Sequence, residues 1–224
     1  MVDDEKAQVP SSFLECLEAL YRLAPDGASV PLDALAKRLG LTTALVTEKI
    51  LGLRGMRLVE ARAADRVLLT AEGRQIAVGL VRKHRLLERF LVDSLELPWE
   101  EVHDEACRLT PVLSDHVADR LAKLLGDPQT CPHGNPIPSA DGALRAETAI
   151  PLHRLKEGKR GIIVRIEKEE GELLKYLATL GLLPQTKVEV EEIAPFGGPI
   201  LIRVGSSRYA LGRKVASKIL VKEA

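Results

Sequence analysis

Two pairs of side chains at helical spacing are the residues of this sequence best suited to chemistry. His84 and Glu88 are four residues apart, and His103 and Cys107 repeat that spacing farther along the chain. Residues four apart lie on one face of an α-helix, so each pair can point at a single ion. Such pairs are also common on solvated helix faces. Two of them on successive predicted helices favour a metal site.

Two other functions fit overlapping sets of residues. One is a thiol switch that uses Cys107 or Cys131, with the metal site vestigial. The other is a metallohydrolase in which His84, Glu88 and His103 form an open three-ligand site. For the metallohydrolase, the sequence offers no evident general base beside the proposed ligands. That function would also leave the N-terminal helices and hairpin without a role.

The cysteines give little further evidence for a functional site. The three cysteines, Cys16, Cys107 and Cys131, are odd in number and widely spaced, so no disulfide framework is expected. Cys131 and His133 form another possible ligand pair, but they lie in a proline-rich stretch with no second pair nearby. Buried, inert thiols are the default expectation for all three.

The composition limits the partners of the chain. Its 224 residues are 46% hydrophobic, which allows a sizeable core. Lys plus Arg and Asp plus Glu both number 32, so no global basic field would bind nucleic acid without sequence preference. Residues 1–8 lack the features of a signal peptide, and no apolar run approaches a membrane span. We expect a cytoplasmic protein with no membrane partner.

The N-terminal part has the pattern of three helices followed by a hairpin. Apolar residues at helical spacing predict helices over residues 11–24, 32–40 and 43–55. Gly40 is placed to end the second helix and Thr42 to cap the third. Two apolar stretches flanking residues 63–66 predict a short hairpin. Two short helices joined at Gly40 are typical of a helix-turn-helix, and the hairpin would be its wing.

The rest of the chain divides into a helical part, a linker and a β-rich part. Amphipathic helices are predicted over residues 70–92, 99–109 and 113–126. Residues 127–151 have the proline, glycine and serine content of a linker rather than of a core element. Beyond them, β-branched runs predict strands over residues 161–167, 186–193, 199–205 and 218–224, with one helix over residues 172–183.

These elements predict a mainly α fold with small β elements. The domains would be an N-terminal winged helix-turn-helix DNA-binding domain over residues 1–73, a helical dimerisation and metal-sensing domain over residues 74–138, a linker over residues 139–150, and a C-terminal SH3-like β-barrel over residues 151–224.

The DNA-binding prediction depends on the helix that Thr42 caps. In a helix-turn-helix the second helix enters the major groove by its first turns. The side chains placed to meet DNA are Thr42, Thr43, Ala44, Thr47 and Glu48. Lys49, Arg62 and Arg66 would mainly contact phosphate, and Arg38 is a further DNA-binding candidate. If Thr42 is only a cap, the basic residues form a solvated face.

Five stretches carry a resemblance to a known family. They are CLEALYRL (16–23), RKHRLLERFL (82–91), VHDEACR (102–108), the LSD-xV-xxRL pattern (113–121) and GNPIP (134–138). Together they resemble the diphtheria toxin repressor family of iron- and manganese-dependent regulators, in its long form with an SH3-like (FeoA-like) domain. The resemblance implies a homodimer that binds palindromic operator DNA when loaded with Mn²⁺ or Fe²⁺ and represses metal-uptake genes.

The resemblance also implies ligands. The family's ancillary metal site matches His84, Glu88 and His103, completed by a carboxylate of the barrel, for which Glu170 and Glu172 are the candidates. Its primary site matches Glu15 and Cys107.

The sequence departs from the family in that primary site. Thr110 and Pro111 stand where the family has a Glu-His ligand pair. This primary site is therefore either rebuilt or absent. If it is rebuilt, its donors are Glu15, Cys107 and a backbone carbonyl that Pro111 leaves without its helical hydrogen bond; if it is absent, Pro111 merely ends the helix.

Overall fold

The chain is described by a computed structural model over residues 9–144, 148–167 and 169–224. These residues form two compact units. The first contains the described residues up to Lys83 with Thr110–Asp115 and Pro138–Ala143, and the second contains His84–Leu109, His116–Ile137 and the described residues from Leu144 onward. The segment compared with a signal peptide, residues 1–8, and part of the predicted linker lie outside the described residues.

The first unit contains three short helices, a three-stranded sheet and the start of a long helix. The helices are α1 (Ser11–Leu23), α2 (Leu32–Leu39) and α3 (Thr43–Gly55), and the strands are β1 (Val30–Pro31), β2 (Val59–Ala63) and β3 (Arg66–Leu69). The sheet is antiparallel in the order β1-β3-β2. Its core is made of fully buried side chains of the three helices, among them Leu17, Leu35 and Leu53.

The connection between α2 and α3 follows the sequence prediction. Gly40 ends α2 in the left-handed conformation, with φ of 65°. The Thr42 hydroxyl then accepts a hydrogen bond from the backbone N–H of Leu45, at 3.3 Å, which satisfies one of the free donors at the start of α3.

Three further helices follow. They are α4 (Ala71–Asp93), which contributes residues to both units, α5 (Val102–Leu109) and α6 (Asp115–Leu124). A short 3-10 turn over Thr110–Val112 follows α5, so the α-helix ends just before Pro111. None of the helices in the described part of the chain is long and apolar enough to cross a membrane.

The second unit contains a six-stranded antiparallel sheet. Its strands are β4 (Ile150–Pro151), β5 (Arg160–Ile166), β6 (Lys187–Ile193), β7 (Ile200–Val204), β8 (Ser207–Leu211) and β9 (Ile219–Glu223), in the order β4-β9-β5-β6-β7-β8. Helices α7 (Gly171–Thr179) and α8 (Arg213–Ala216) complete it. One contiguous apolar core, including Ile163, Leu174 and Ile202, lies within this unit, and Trp99 packs against it.

The structure differs from the sequence prediction in residues 129–137, which are not a free linker. Thr130 and Pro136 form an isolated β-bridge, and the backbone N–H of Ile137 donates to the carbonyl of Gln129 at 2.8 Å. Cys131, His133 and Ile137 are buried. The composition misled the prediction because proline and glycine set turns inside packed structure as readily as they mark linkers.

Candidate metal centre

Helices α4 and α5 bring three of the predicted ligands together. His84 and Glu88 lie one turn apart on α4, both fully buried, and the His84 Nε2 atom is 3.0 Å from Glu88 Oε1. His103 of α5 places its Nδ1 atom 3.1 Å from His84 Nε2 and 3.2 Å from Glu88 Oε1. Ligands bound about 2.1 Å from one ion lie roughly 3–3.4 Å apart, so these three atoms have the spacing of neighbouring ligands.

A tight turn adds two donors that the sequence analysis assigned to a linker. Cys131 and His133 are both buried, and the Cys131 Sγ atom is 3.9 Å from His133 Nδ1. The Gly134 N–H donates to the Cys131 carbonyl at 2.9 Å, and the Ile166 N–H of β5 donates to the His133 carbonyl at 2.9 Å. The turn is thus fixed to the sheet at the residue that offers the imidazole.

Only glycine fits at position 134. A Cβ atom there would lie 2.0 Å from the carbonyl oxygen of Val164 in β5, and the φ of 83° lies in the left-handed region. Both observations explain why the turn that carries Cys131 and His133 can approach β5 so closely. The glycine in the GNPIP stretch is therefore part of the architecture of the centre.

We predict that Gly134→Ala destabilises the second unit and weakens ion binding. Left-handed strain alone costs roughly 1–2 kcal/mol, and the backbone clash adds to it, so we expect a loss of about 2 kcal/mol or more in the free energy of unfolding. Denaturant unfolding and Mn²⁺ titration measure the two effects. The matched control is Gly158→Ala, because Gly158 has φ of 76° and nothing within 4 Å of its Cβ position. Equal losses in the two variants would contradict the role of the Val164 contact.

Glu169 supplies a second carboxylate from the segment between β5 and α7. Its Oε2 atom lies 3.0 Å from His103 Nδ1, and its side chain is 5% exposed. The Asn135 amide donates to Glu169 Oε1 at 2.7 Å, which orients the carboxylate from outside the cluster. Such outer hydrogen bonds are typical of metal ligands, whose geometry they fix.

His133 is oriented by Trp99, the single tryptophan of the chain. The His133 Nε2–H group donates to the Trp99 carbonyl at 2.8 Å, since a carbonyl can only accept. The two rings also contact each other, with centroids 5.3 Å apart. The His133 Nδ1 atom is thereby directed toward Glu88 Oε1, 3.5 Å away, to which it donates when the ring is protonated.

The donors around Glu88, buried or partly buried, form two overlapping sets. The His-pair set contains His84, Glu88, His103 and Glu169, and the Cys set contains Glu88, Cys131, His133 and Glu169. Within each set, one ligand atom per residue lies within 4.8 Å of every other. The two sets share both carboxylates. Nitrogen, oxygen and one sulfur donor together suit first-row divalent metals.

The electrostatics of the cluster favour a cation. Burial opposes ionisation of Glu88, yet the charge of His84 and hydrogen bonds from His103, His133 and His84 hold its pKa well below the usual value. Burial lowers the pKa of His103, but hydrogen bonds with Cys107, Glu169 and Glu88 outweigh it and raise that pKa to about 12. The carboxylates thus create a buried negative field that selects positive charge.

The second carboxylate oxygen of Glu88 indicates whether a divalent ion fits the cluster. Glu88 Oε2 is buried and has no hydrogen-bond partner among the described residues. A buried carboxylate oxygen without a partner costs free energy unless a cation or donor satisfies it. The donor chemistry and this unsatisfied oxygen both fit a divalent metal.

Cys107 lies at the edge of the cluster. Its Sγ atom is 3.7 Å from His103 Nε2, the nitrogen opposite the one that faces Glu88. Burial raises the pKa of this thiol, but hydrogen bonds to His103 and His84 outweigh it and lower the pKa to about 7. The structure groups Cys107 with His84 and His103, although Cys107 itself is exposed.

The other predicted ligands are placed differently. Glu15 is an exposed residue of α1, and Glu170, just before α7, and Glu172, in its first turn, are also exposed. None of the three belongs to a donor group within the described residues. Glu169, adjacent to Glu170, is the carboxylate that lies beside His103. The ligand roles of Glu15, Glu170 and Glu172 remain predictions, and Glu172→Gln tests one of them.

The predicted DNA-contacting residues lie at or near α3. Exposed side chains are those of Arg38, Thr42, Thr43, Ala44, Thr47, Glu48 and Arg62. Two of the basic residues are engaged within the first unit. Arg66 donates to the Ser29 hydroxyl at 2.9 Å, and Lys49 Nζ donates to the Ser12 carbonyl at 2.9 Å.

Fold and site together define a helical metal-binding protein with an added antiparallel sheet domain, and comparison with known proteins agrees. Residues 70–139 match the model of the iron dependent repressor metal binding and dimerisation domain, and residues 150–223 match the FeoA domain. The chain belongs to the iron-dependent repressor family, which confirms the resemblance found in the sequence.

Individual relatives cover nearly the whole chain. The iron-dependent repressor IdeR of Mycobacterium leprae is 33% identical over 219 residues, which are 92% of this chain and 95% of that protein. The diphtheria toxin repressor of Corynebacterium glutamicum is 34% identical over 200 residues, covering 85% and 87% respectively. A solved structure of a manganese-dependent transcriptional repressor in complex with manganese is 34% identical in sequence, with a TM-score of 0.86. The match covers 95% of this chain and 100% of that chain.

Proposed function

We propose that this protein is a metal-dependent transcriptional repressor that binds operator DNA as a homodimer when loaded with Mn²⁺ or Fe²⁺. The observation that carries the proposal is the buried cluster around Glu88, whose second oxygen has no hydrogen-bond partner among the described residues. The bound ion acts as an effector and not as a catalyst. Family membership supports repression as the outcome of ion binding.

The DNA-binding part would be a winged helix-turn-helix in the first unit. Helices α2 and α3 form the helix-turn-helix, and the hairpin of β2 and β3 is the wing. The exposed side chains Thr43, Ala44 and Thr47 at the start of α3 meet the base edges. Arg62, exposed on the hairpin, contacts phosphate, whereas Arg66 and Lys49 mainly stabilise the unit.

Dimer formation fits the apolar surface of the helical part. Val117 and Leu124 of α6 are exposed large apolar side chains, with 49% and 72% of their surface accessible. A second copy that covers them would remove this surface from water. A homodimer on a palindromic operator is the expected arrangement, with metal-uptake genes as targets. The antiparallel sheet of the second unit would be the SH3-like barrel.

Ion binding and DNA binding are coupled by linkage. An ion that binds the DNA-competent arrangement better than other arrangements shifts the population toward it. Helix α4 supplies His84 and Glu88, and its first turns belong to the unit that carries α3. The chain therefore connects the ligands to the DNA-binding part through one continuous helix.

We predict that His84→Ala abolishes metal-dependent DNA binding. Duplexes selected from a randomised pool with Mn²⁺ present provide the probe, and gel shift with Mn²⁺, Fe²⁺ or Zn²⁺ provides the measurement. For the unaltered protein we expect the ion to tighten binding about 5- to 150-fold, the usual range of such coupling. His84→Ala should bind equally weakly with and without ion.

The matched control is His116→Ala, because His116 is an exposed histidine of α6 outside every donor group of the described residues. This variant should keep the full response to the ion. Unchanged metal dependence in His84→Ala, with the variant folded by circular dichroism, would refute the proposed function.

A thiol switch is the second candidate, favoured by one observation. Cys107 is exposed and its sulfur lies 3.7 Å from His103 Nε2, a setting in which a thiol is accessible to oxidants. DNA binding that responds to peroxide and not to a chelator would favour this candidate. A response to chelator that persists in Cys107→Ser would exclude it.

A further inference from the structure

The positive charge of the chain is concentrated in its C-terminal part. Residues 150–224 contain fourteen Lys and Arg residues against nine Glu and no Asp, whereas residues 1–73 contain nine Lys and Arg residues against eleven Asp and Glu. Attraction to phosphate supplies most of the sequence-independent affinity of a protein for DNA, and it depends on local positive charge. The C-terminal part therefore offers an attraction that the predicted DNA-binding part supplies only weakly.

The outer face of the six-stranded sheet presents much of this charge. The inner face carries the apolar core of the second unit, where Ile163, Val188 and Ile202 are buried. Side chains alternate between the two faces of a strand, so the neighbours of these residues point outward. We call this outer surface the basic face. Its exposed cations are Arg160, Lys187, Arg203, Arg208 and Lys222, and its carboxylates are Glu189 and Glu191.

Four strands align part of the basic face in one row. Arg160 of β5 pairs with Glu189 of β6, and Glu189 pairs with Arg203 of β7. Arg203 pairs in turn with Arg208 of β8. Neighbouring strands lie roughly 4.8 Å apart, so the row spans roughly 14 Å. Duplex DNA carries one negative charge per roughly 1.7 Å of its axis, so several phosphates can face such a row.

The row keeps a net positive charge. Like charges directly opposite each other destabilise an antiparallel pair, and Arg203 and Arg208 are such a pair. Both contact Glu191: Arg203 Nε donates to Oε1 at 2.6 Å, and Arg208 Nε lies 3.0 Å from Oε2. One carboxylate thus offsets one of these two cations. Arg160 is offset by Glu189, whose Oε2 atom lies 3.0 Å from Arg160 Nε.

Two lysines form a second row beside the first. Lys187 of β6 and Lys222 of β9 both lie opposite Ile162 of β5, one on each side. Ile162 is two residues from Arg160, so the two rows share the outer face. None of the exposed large apolar side chains of the described residues lies on strands β5 to β9. A polar, positively charged surface is typical of DNA contacts, whereas membrane binding and protein hot spots use apolar anchors.

We infer that the basic face binds the sugar-phosphate backbone of duplex DNA without sequence preference. This inference rests on the proposed DNA-binding function and gives the sheet of the second unit a part in it. Phosphate contacts position a protein on the duplex but carry no sequence information. The basic face therefore adds affinity for any duplex, and base readout stays with α3.

The test measures the salt dependence of binding to a fluorescent duplex of scrambled sequence. Anisotropy is recorded for the full-length protein, with chelator present, between about 50 and 200 mM KCl. In the double variant Lys187→Gln/Lys222→Gln, the slope of log K against log salt should fall by about 0.9 for each lost phosphate contact, about 1.8 for each bound copy. Over this salt range, binding should therefore weaken about tenfold less in the variant than in the unaltered protein.

The matched control is Lys175→Gln/Lys214→Gln, which removes the same charge from exposed positions of α7 and α8. This variant should keep the slope of the unaltered protein. Equal falls in both double variants would assign the effect to net charge alone and overturn the inference. An unchanged slope in Lys187→Gln/Lys222→Gln would also overturn it.

Further outcomes separate this inference from its alternatives. Binding to phosphatidylserine vesicles that Lys187→Gln/Lys222→Gln loses, with DNA binding unchanged, would assign the basic face to an anionic membrane and overturn the inference. A reduced slope in this variant, with no effect of Mn²⁺ on operator binding by the unaltered protein, would support the inference and refute the proposed function. A full response to Mn²⁺ with an unchanged slope would overturn only the inference.

Discussion

Glu88→Gln is expected to lower the affinity for Mn²⁺ by at least about a hundredfold, since loss of even an outer partner of a ligand costs 10- to 100-fold. The substitution keeps the shape of the side chain but removes the negative charge that faces His84, His103 and His133. Glu88 belongs to both donor sets, so every ion in the cluster loses a charged ligand. Isothermal titration calorimetry measures the affinity directly.

Thermal unfolding gives an independent measurement of the same loss. An ion present at one hundred times its dissociation constant raises the free energy of unfolding by about 2.7 kcal/mol. Glu88→Gln should lose most of that gain at the same ion concentration. The control is Glu172→Gln, because Glu172 is exposed and was a predicted ligand. If Glu172→Gln lowered the affinity for Mn²⁺ and Glu88→Gln did not, Glu88 would not be a ligand and the ligand set assigned from the structure would be wrong.

The half of the site that lies on helices could be predicted from the sequence. The i,i+4 spacing of His84 and Glu88 fixes their common face once α4 is recognised, because helical geometry is local. His103 follows from the repeated spacing on α5. The structure brings these three residues together within 3.0 to 3.2 Å.

The other half depends on contacts that are distant in sequence. Glu169, Glu170 and Glu172 are all glutamates, so the sequence does not show which of them reaches the cluster. Only the path of the chain between β5 and α7 places Glu169 beside His103. Cys131 and His133 were discounted for their proline-rich surroundings. The signal that could have found them is Gly134, which follows Cys-Pro-His. Glycine is the residue that allows a left-handed backbone and a close approach between two segments of the chain.

The fold shows the same division. Helices α1 to α4 follow from apolar periodicity and from Gly40 and Thr42, which act on their immediate neighbours. Strands β1, β4 and β8 were not predicted. The first two are two residues long and contain a proline, and the third, with the sequence SRYAL, has one buried side chain, so none carries a clear alternating pattern.

Gly73→Ala is expected to destabilise the first unit strongly, although Gly73 lies in a helix with ordinary backbone angles. A Cβ atom at this position would lie 1.9 Å from the carbonyl oxygen of Leu58 and 2.9 Å from its carbonyl carbon. That carbonyl already accepts a hydrogen bond from the Thr70 N–H at 3.1 Å, and the Thr70 hydroxyl accepts from the Gly73 N–H at 3.1 Å. The start of α4 is therefore bound to the residue before β2 at van der Waals contact.

An added methyl group must push the first turn of α4 away from Leu58 and break the Thr70 hydrogen bond. We expect a loss of about 3 kcal/mol in the free energy of unfolding, the upper end of overpacking costs, measured by denaturant unfolding. Gly79→Ala in the same helix is the control, since no atom lies within 4 Å of its Cβ position. It should stabilise the protein by about 0.5–1 kcal/mol, because alanine is the better helix former. Opposite signs from one substitution at two positions of α4 would show that Gly73 is required by the contact between the helix and Leu58, and equal signs would refute that contact.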